Sequence, residues 1–407
     1  MDVTSIRALP LQCSCCHSGV LGEKLFTIHD LPLVDSFLES QSASFSVPCY
    51  DVELRACKRC GTVQLSNLVD TSSIYKNYIY SSSSSPDLSS HFESYVDDLE
   101  QNCGFSINNY SKVLEVGIND GLLAKKIIAR FNCPVLGVDP SPQTKEICEE
   151  GIRIINDFFT WDALVKSNAD LGGYNLVIAN NVISHIPELH KTLSLVSKLL
   201  DDQGVFVFEV QSASHLLSNC VFDYIYHEHL FYHTLGSLEL VLEDAGLTIS
   251  SVTTTQAKGG SYRVYARRGT RGENLKLSQL KYFESFYDVK SRASWERLEV
   301  RLASVNQELR HFIDTAKNKG TGRIFGYGAC ATGTVLQRYF GIERDMVGII
   351  DDNRRRQGLF SPKFGLKVMP PGSLSDGDSV IVLAWRHYDY MRCTLSGLNH
   401  MVPLKCA

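Results

Sequence analysis

The sequence predicts a three-part α/β protein: a small cysteine-punctuated N-terminal module, a central doubly wound and mostly parallel sheet, and a second α/β block at the C-terminus. Three observations predict it. Two Cys-x-x-Cys knuckles, Cys13 to Cys16 and Cys57 to Cys60, come first. A long stretch then alternates apolar strands with amphipathic helices, and its first strand runs into the glycine turn Gly117-Ile-Asn-Asp-Gly121. A second such turn, Gly326-Tyr-Gly328, opens the C-terminal block.

Four cysteines at that spacing make a tetrahedral zinc site, with Cys13, Cys16, Cys57 and Cys60 as ligands. The x-x spacing favours the outer pair over Cys15, and His17 is a poorer substitute. Four protein ligands leave no open position, so this Zn2+ is expected to be structural. It staples residues 1–70, which read as short and irregular. Thirteen cysteines in 407 residues are too dispersed for a disulfide scaffold. The length implies two or three domains, and 44 % hydrophobic with 21 % charged residues is a globular composition. A net charge of −5 argues against nucleic acid as a partner. The N-terminus lacks a signal-peptide pattern and no run approaches a membrane span, so a cytoplasmic protein without membrane contact is expected.

Tyr75, Tyr78 and Tyr80 precede Ser81 to Pro86; composition reads as a linker, the three tyrosines as an active-site loop. Helices are expected over 91–101, 122–131, 144–150 and 187–200, and strands over 112–116, 135–138, 174–179 and 204–210. Polar helical sequence over 273–319 forms an arm, and strands over 323–328, 346–350 and 378–384 form the last block.

Ligands of a doubly wound sheet bind at the carboxyl ends of its strands. Gly117 and Gly121 admit a ligand close to the backbone, and Asp139, ending the second strand, suits ribose hydroxyls. The turn lacks G-x-G-x-x-G, which disfavours a dinucleotide, and Glu115 and Asp120 suit a cationic cofactor. S-adenosylmethionine, with its sulfonium and ammonium, fits. Asp157 and Phe158 are placed to hold the adenine. Asn180 and Asn181 are placed for the methionine end or the acceptor.

Other motifs follow in order: Cys60 to Leu65, Tyr78 to Ser83, His91, Glu115 to Gly121, Asp139 to Ser141, Asp157 to Phe159, Asn181-x-x-x-His185-Ile-Pro187, Ile225-Tyr-x-Glu-His229, Gly259-Gly260 with Arg263, Gly326 to Ala329, and Ala384-Trp385. In this ordered set, over nearly the whole chain, the sequence resembles the S-adenosylmethionine-dependent sugar C-methyltransferases, which methylate nucleotide-linked 4-keto-deoxysugars at carbon 3. The resemblance implies a zinc domain over 1–70, a Rossmann-like class I methyltransferase domain over 71–272, and an arm with a Rossmann-like substrate domain over 273–407. It implies Asn119 at the cofactor. It implies His229 as base, flanked by Tyr226 and Glu228 and joined by Tyr80 and His185. Tyr78, Asn181, Arg263, Tyr327, Arg356 and Trp385 would hold a nucleotide-linked keto-sugar, with a monomer favoured.

Such chemistry needs a base at a carbon beside a ketone and donors for the resulting oxyanion; histidine and tyrosine supply these. Two alternatives accompany it: methylation of another ketone carbon, hydroxyl or amine, and a zinc-containing binding module. His227, His229 and His233 also have the spacing of metal ligands, and the 351–357 segment also reads as a solvated charged turn. The chain departs from the family pattern at Cys330 to Gly333 and at Arg386, both on the sugar side.

Overall fold

A computed structural model describes residues 6–8, 12–69, 74, 80–85, 87–269 and 274–404. In the N-terminal part, β1 (Ile6–Ala8) pairs with β5 (Asn67–Val69). Between them lie β2 (Leu21–Pro32), β3 (Cys49–Cys57) and β4 (Val63–Leu65), an antiparallel sheet. The expectation of a short, irregular module is corrected here. The alternation in Val52, Leu54 and Ala56 buries one face of β3 along its length, and the metal knuckles lie at the ends of strands rather than replacing them.

The central sheet uses β6 (Val113–Val116), β7 (Val135–Val138), β8 (Ile152–Ile155), β9 (Tyr174–Asn180) and β10 (Leu200–Gln211), all parallel. Helices α1 (Leu88–Asn102), α2 (Leu122–Phe131) and α3 (Leu189–Leu199) flank it, as the alternating pattern predicts. Strand β11 (Phe231–Tyr232) leaves this part of the chain and pairs with β4, tying the zinc module to the centre. Antiparallel β12 (Leu247–Thr255) and β13 (Ser261–Arg268) then extend the sheet to the order β12-β13-β10-β9-β6-β7-β8.

The helix expected at Thr144 to Glu150 is a short 3-10 turn, Pro142–Glu146. Gln143 and Thr144 are buried there, and the chain must reverse within a few residues to enter β8.

The arm is two helices, Leu275–Ser285 and α4 (Arg292–Lys317); α4 buries Trp295, Leu302, Leu309 and Ile313 on one face. The last block is a five-stranded parallel sheet built from β14 (Ile324–Tyr327), β15 (Gly348–Ile350), β16 (Val368–Met369), β17 (Ser379–Val382) and β18 (Asn399–Met401). No described helix is long and apolar enough to cross a membrane.

Candidate functional site

Cys13, Cys16, Cys57 and Cys60 converge with all sulfurs within 4.8 Å of one another; Cys13–Cys60 and Cys16–Cys57 are 3.8 and 3.7 Å apart. A tetrahedron with Zn–S near 2.3 Å has edges of about 3.8 Å, so the site fits zinc. Cys15 turns away, its sulfur accepting from the Thr62 hydroxyl at 3.3 Å. The sequence reading passed over Gly19. A Cβ there would lie 2.2 Å from the Cys57 sulfur, so the metal cluster needs glycine at that point. The histidine alternative does not form. The His227 ring packs on Tyr50, His229 on Tyr226, and His233 on Phe231, and the cysteines are the one metal-competent group among the described residues.

At the carboxyl ends of β6, β7 and β9 lies a cavity of about 860 Å³ lined by Glu115, Gly117, Asn119, Asp139, Phe158 and Asn180, among others. Gly117 has φ 75°, and a Cβ would lie 2.3 Å from Val182, so only glycine closes this turn. The Asp139 carboxylate accepts from the Asn119 and Ser141 amides at 2.8 and 2.7 Å. Burial, then the neighbouring Asp139 and Asp120, raise the Glu115 carboxyl well above its usual range, and its buried Oε2 has no partner among the described residues. That orphaned acceptor fits the donors of S-adenosylmethionine. Phe158 and Trp161 present exposed aromatic faces on the same wall.

Two residues expected at the cofactor are occupied elsewhere. Asp120 accepts from the Ser83 amide at 2.8 Å and from the Ser81 hydroxyl, while Asn119 Oδ1 accepts from the Ser82 amide at 2.9 Å. Together they clamp the 80–85 segment, and the Asn119 amide group also donates to the Tyr80 carbonyl at 3.1 Å. Asp157 is exposed and accepts from the Phe158 amide at 2.8 Å. Gly121, at φ 77°, starts α2 outside the lining.

A second cavity, about 1410 Å³, lies between the central part and the C-terminal block. Tyr80, His185, Tyr226, Glu228 and His229 line it from one side, and Tyr327, Arg356 and Trp385 from the other. The two cavities share Tyr80, Leu88, His185 and Lys258 as walls. His229 Nδ1 lies 2.6 Å from the Tyr224 carbonyl, which only accepts, so Nδ1 carries the proton and Nε2 the lone pair. Desolvation and the Lys258 charge hold this imidazole down to about 3, so it is neutral at ordinary pH. Its ring lies 4.1 Å from that of Tyr226 and 4.8 Å from that of His185. Burial pushes the Glu228 carboxyl up to about 8, making it a hydrogen-bond donor at neutral pH, and pushes the Tyr80 phenol up so that it keeps its proton.

On the far side, the Tyr327 hydroxyl donates to Asp352 at 2.9 Å. Arg356 pairs with Asp35 at 3.1 Å over the Phe37 ring. Trp385 and Arg386 both donate to buried Asp223, at 2.9 and 2.8 Å. Asn181, at φ 55°, faces the first cavity rather than the second. Tyr78 lies outside the described residues. Arg263 lines neither cavity. It is buried behind β10, bonded to Glu209 at 2.7 Å and Asp98 at 2.8 Å, while Glu209 also accepts from His91 at 2.8 Å. The sequence reading missed Lys258, Asp35, Trp161 and Glu209. Lys258 adjoined the noted Gly259-Gly260 pair, whereas Asp35 carried no local signal.

A model described as a zinc-binding domain matches residues 13–75, a methyltransferase domain residues 89–252, and a C-methyltransferase C-terminal domain residues 256–399. The C-methyltransferase NovU of Streptomyces niveus is 25 % identical over 362 residues, covering 88 % of this chain and 85 % of its own. Among solved structures, magnesium protoporphyrin IX methyltransferase of Synechocystis PCC 6803, with bound S-adenosylmethionine, is 16 % identical and covers 44 % of this chain and 79 % of its own, at a TM-score of 0.34. An S-adenosylmethionine-dependent methyltransferase of Clostridium acetobutylicum ATCC 824 is 11 % identical over 44 % of this chain and 92 % of its own, at a TM-score of 0.32.

Metal analysis is expected to find one zinc per chain, and Gly19→Ala to lower both that content and the melting temperature. Arg263→Ala leaves Glu209 and Asp98 without their buried cation and should cost about 3–5 kcal/mol in denaturant unfolding.

Proposed function

The chain belongs to the S-adenosylmethionine-dependent C-methyltransferases, and on that premise we propose that it methylates carbon 3 of a nucleotide-linked 4-keto-deoxysugar through a base-generated enolate. The observation that carries this reading is the neutral His229, with its lone pair on Nε2, in a cavity that shares its walls with the cofactor cavity. When bound, S-adenosylmethionine supplies an electrophilic methyl group.

The rest is the work of this chain's side chains. Glu115 and Asp139 meet the polar groups of the cofactor, and Phe158 with Trp161 cover its base. His229 Nε2 takes the proton from the carbon beside the ketone. Tyr226, Tyr80 and the protonated Glu228 are donors for the sugar, and His185 packs against the base to hold its plane. Tyr327, Trp385 and Arg356 form the nucleotide side of the second cavity. Arg263 acts by holding Glu209. Zinc keeps the N-terminal sheet, and with it Asp35, in place. In this reading residues 1–70, 71–272 and 273–407 are zinc-binding, methyl-transferring and substrate-holding units of a cytoplasmic monomer.

His229→Asn should lower methyl transfer by roughly 10²–10⁴-fold while calorimetry still records cofactor binding. The assay is mass spectrometry of dTDP-4-keto-6-deoxy sugars after incubation with the cofactor; full turnover by the variant sinks the assignment, and transfer to a hydroxyl or amine would move it to another acceptor class. Because His229 is held to about 3, protonation removes the base only well below pH 5, so kcat/KM should show no acid limb between pH 5 and 7.

A further inference from the structure

One cation takes no part in the chemistry just described. Lys258 is half-buried and walls both cavities, in the turn that joins β12 to β13. Its φ of 54° is a conformation that residues other than glycine rarely adopt, so the turn holds this side chain at the junction against a local preference. Its Nζ lies 5.9 Å from the centre of the Tyr80 ring. Among the described residues it forms no ion pair. The carboxyl groups of Glu209 at the end of β10 and of Glu228, and the Arg386 guanidinium of the C-terminal block, face it, and the His185 and His229 imidazoles feel its charge.

We infer that Lys258 is a further catalytic residue, whose ammonium donates to the ketone oxygen of the acceptor as that oxygen becomes an enolate. The inference rests on the proposed function. A methyl donor in one cavity and an acceptor in the other bring the accepting carbon to the wall the cavities share. The carbonyl carbon is its neighbour, so the developing oxyanion comes within reach of the same wall. Lys258 is the positive charge of that wall, and an ammonium without a carboxylate partner is arranged to meet an anion.

In the step itself the C–H bond breaks and its proton goes to His229 Nε2. The bonding pair becomes the carbon–carbon π bond, and the carbonyl π pair moves onto oxygen, beside Lys258. The same charge adds to the desolvation that keeps His229 weakly basic in the free protein. Once the oxygen is negative it offsets the ammonium's field, and the imidazolium becomes easier to form. Base and oxyanion site then strengthen each other. Desolvation first, then Arg386, brings the Lys258 ammonium down to about 8, against the two carboxylates that hold it up.

The test is deuterium uptake beside the ketone of dTDP-4-keto-6-deoxyglucose in heavy water without cofactor, for the full chain, Lys258→Met and Lys258→Arg. Lys258→Met should exchange roughly 10²–10³-fold more slowly with an unchanged melting temperature. Wild-type exchange should fall as pH rises through about 8, where the ammonium loses its proton, and the fall should be clearly smaller in Lys258→Arg, which stays charged. Glu228, a donor in the same range, accounts for what remains, so a fall undiminished in Lys258→Arg belongs to Glu228 alone and overturns the inference. Equal exchange by wild type and Lys258→Met also overturns it. No exchange by the wild type removes the proposed function, and this inference with it, so the two failures are told apart by the wild type alone.

Discussion

The clamp that Asn119 and Asp120 place on the 80–85 segment decides where the chemistry can happen. Those two residues follow the first strand of the central sheet, where a cofactor is ordinarily met, yet three of their oxygen and nitrogen atoms are spent on the neighbouring segment. Tyr80 is thereby carried to the wall between the two cavities. Loosening the clamp would release Tyr80 and leave the buried aspartate without its donors, a loss that compounds because charge-assisted hydrogen bonds are the stronger kind. The serine run that composition reads as linker is thus an active-site wall whose hydroxyls and amides are donors.

The second constraint is dielectric. At the junction His185 and His229 are neutral, Glu228 carries its proton, and the Lys258 ammonium is weakened. Each shift has desolvation as its largest cause. Low dielectric penalises an uncompensated charge and rewards a compensated one. A site of this kind stabilises a charge created during reaction more than the neutral reactant, which is the condition for catalysis by differential binding. A solvated version with the same side chains would lose that advantage.

Legibility followed sequence distance. The four cysteine ligands were readable because each knuckle places two sulfurs within four residues, and the glycine turn because one local conformation demands it. Strands β6, β7 and β9 were readable as short apolar runs buried on both faces. What was not readable depends on partners far along the chain. Asp120 and Asp157 look like cofactor ligands in their motifs, but whether a carboxylate faces a ligand or a backbone amide is set by the loop opposite. Arg263 looks like a substrate ligand until Glu209 and Asp98 appear beside it, from positions 54 and 165 residues away. The short turn at Pro142–Glu146 had the composition of a helix, and the strand after it left no room for one.

The departures at Cys330 to Gly333 and at Arg386 have a physical reading. The Cys330 sulfur accepts from the Gly333 amide at 3.3 Å and caps the helix Ala331–Phe340, work that any short acceptor side chain can do. Arg386 is different. It is held by both oxygens of Asp223 and stacked on Tyr224 and Trp385, so its charge is matched within the chain. Arg356 is matched in the same way by Asp35 from the zinc-stapled part. The second cavity therefore meets a ligand with two arginines that are already oriented and already neutralised. A diphosphate would gain from their fixed geometry, but it must compete with a carboxylate for each of them. Asp35 can yield only as far as the N-terminal sheet allows, and that ties the affinity of the second cavity to the metal cluster that holds the sheet.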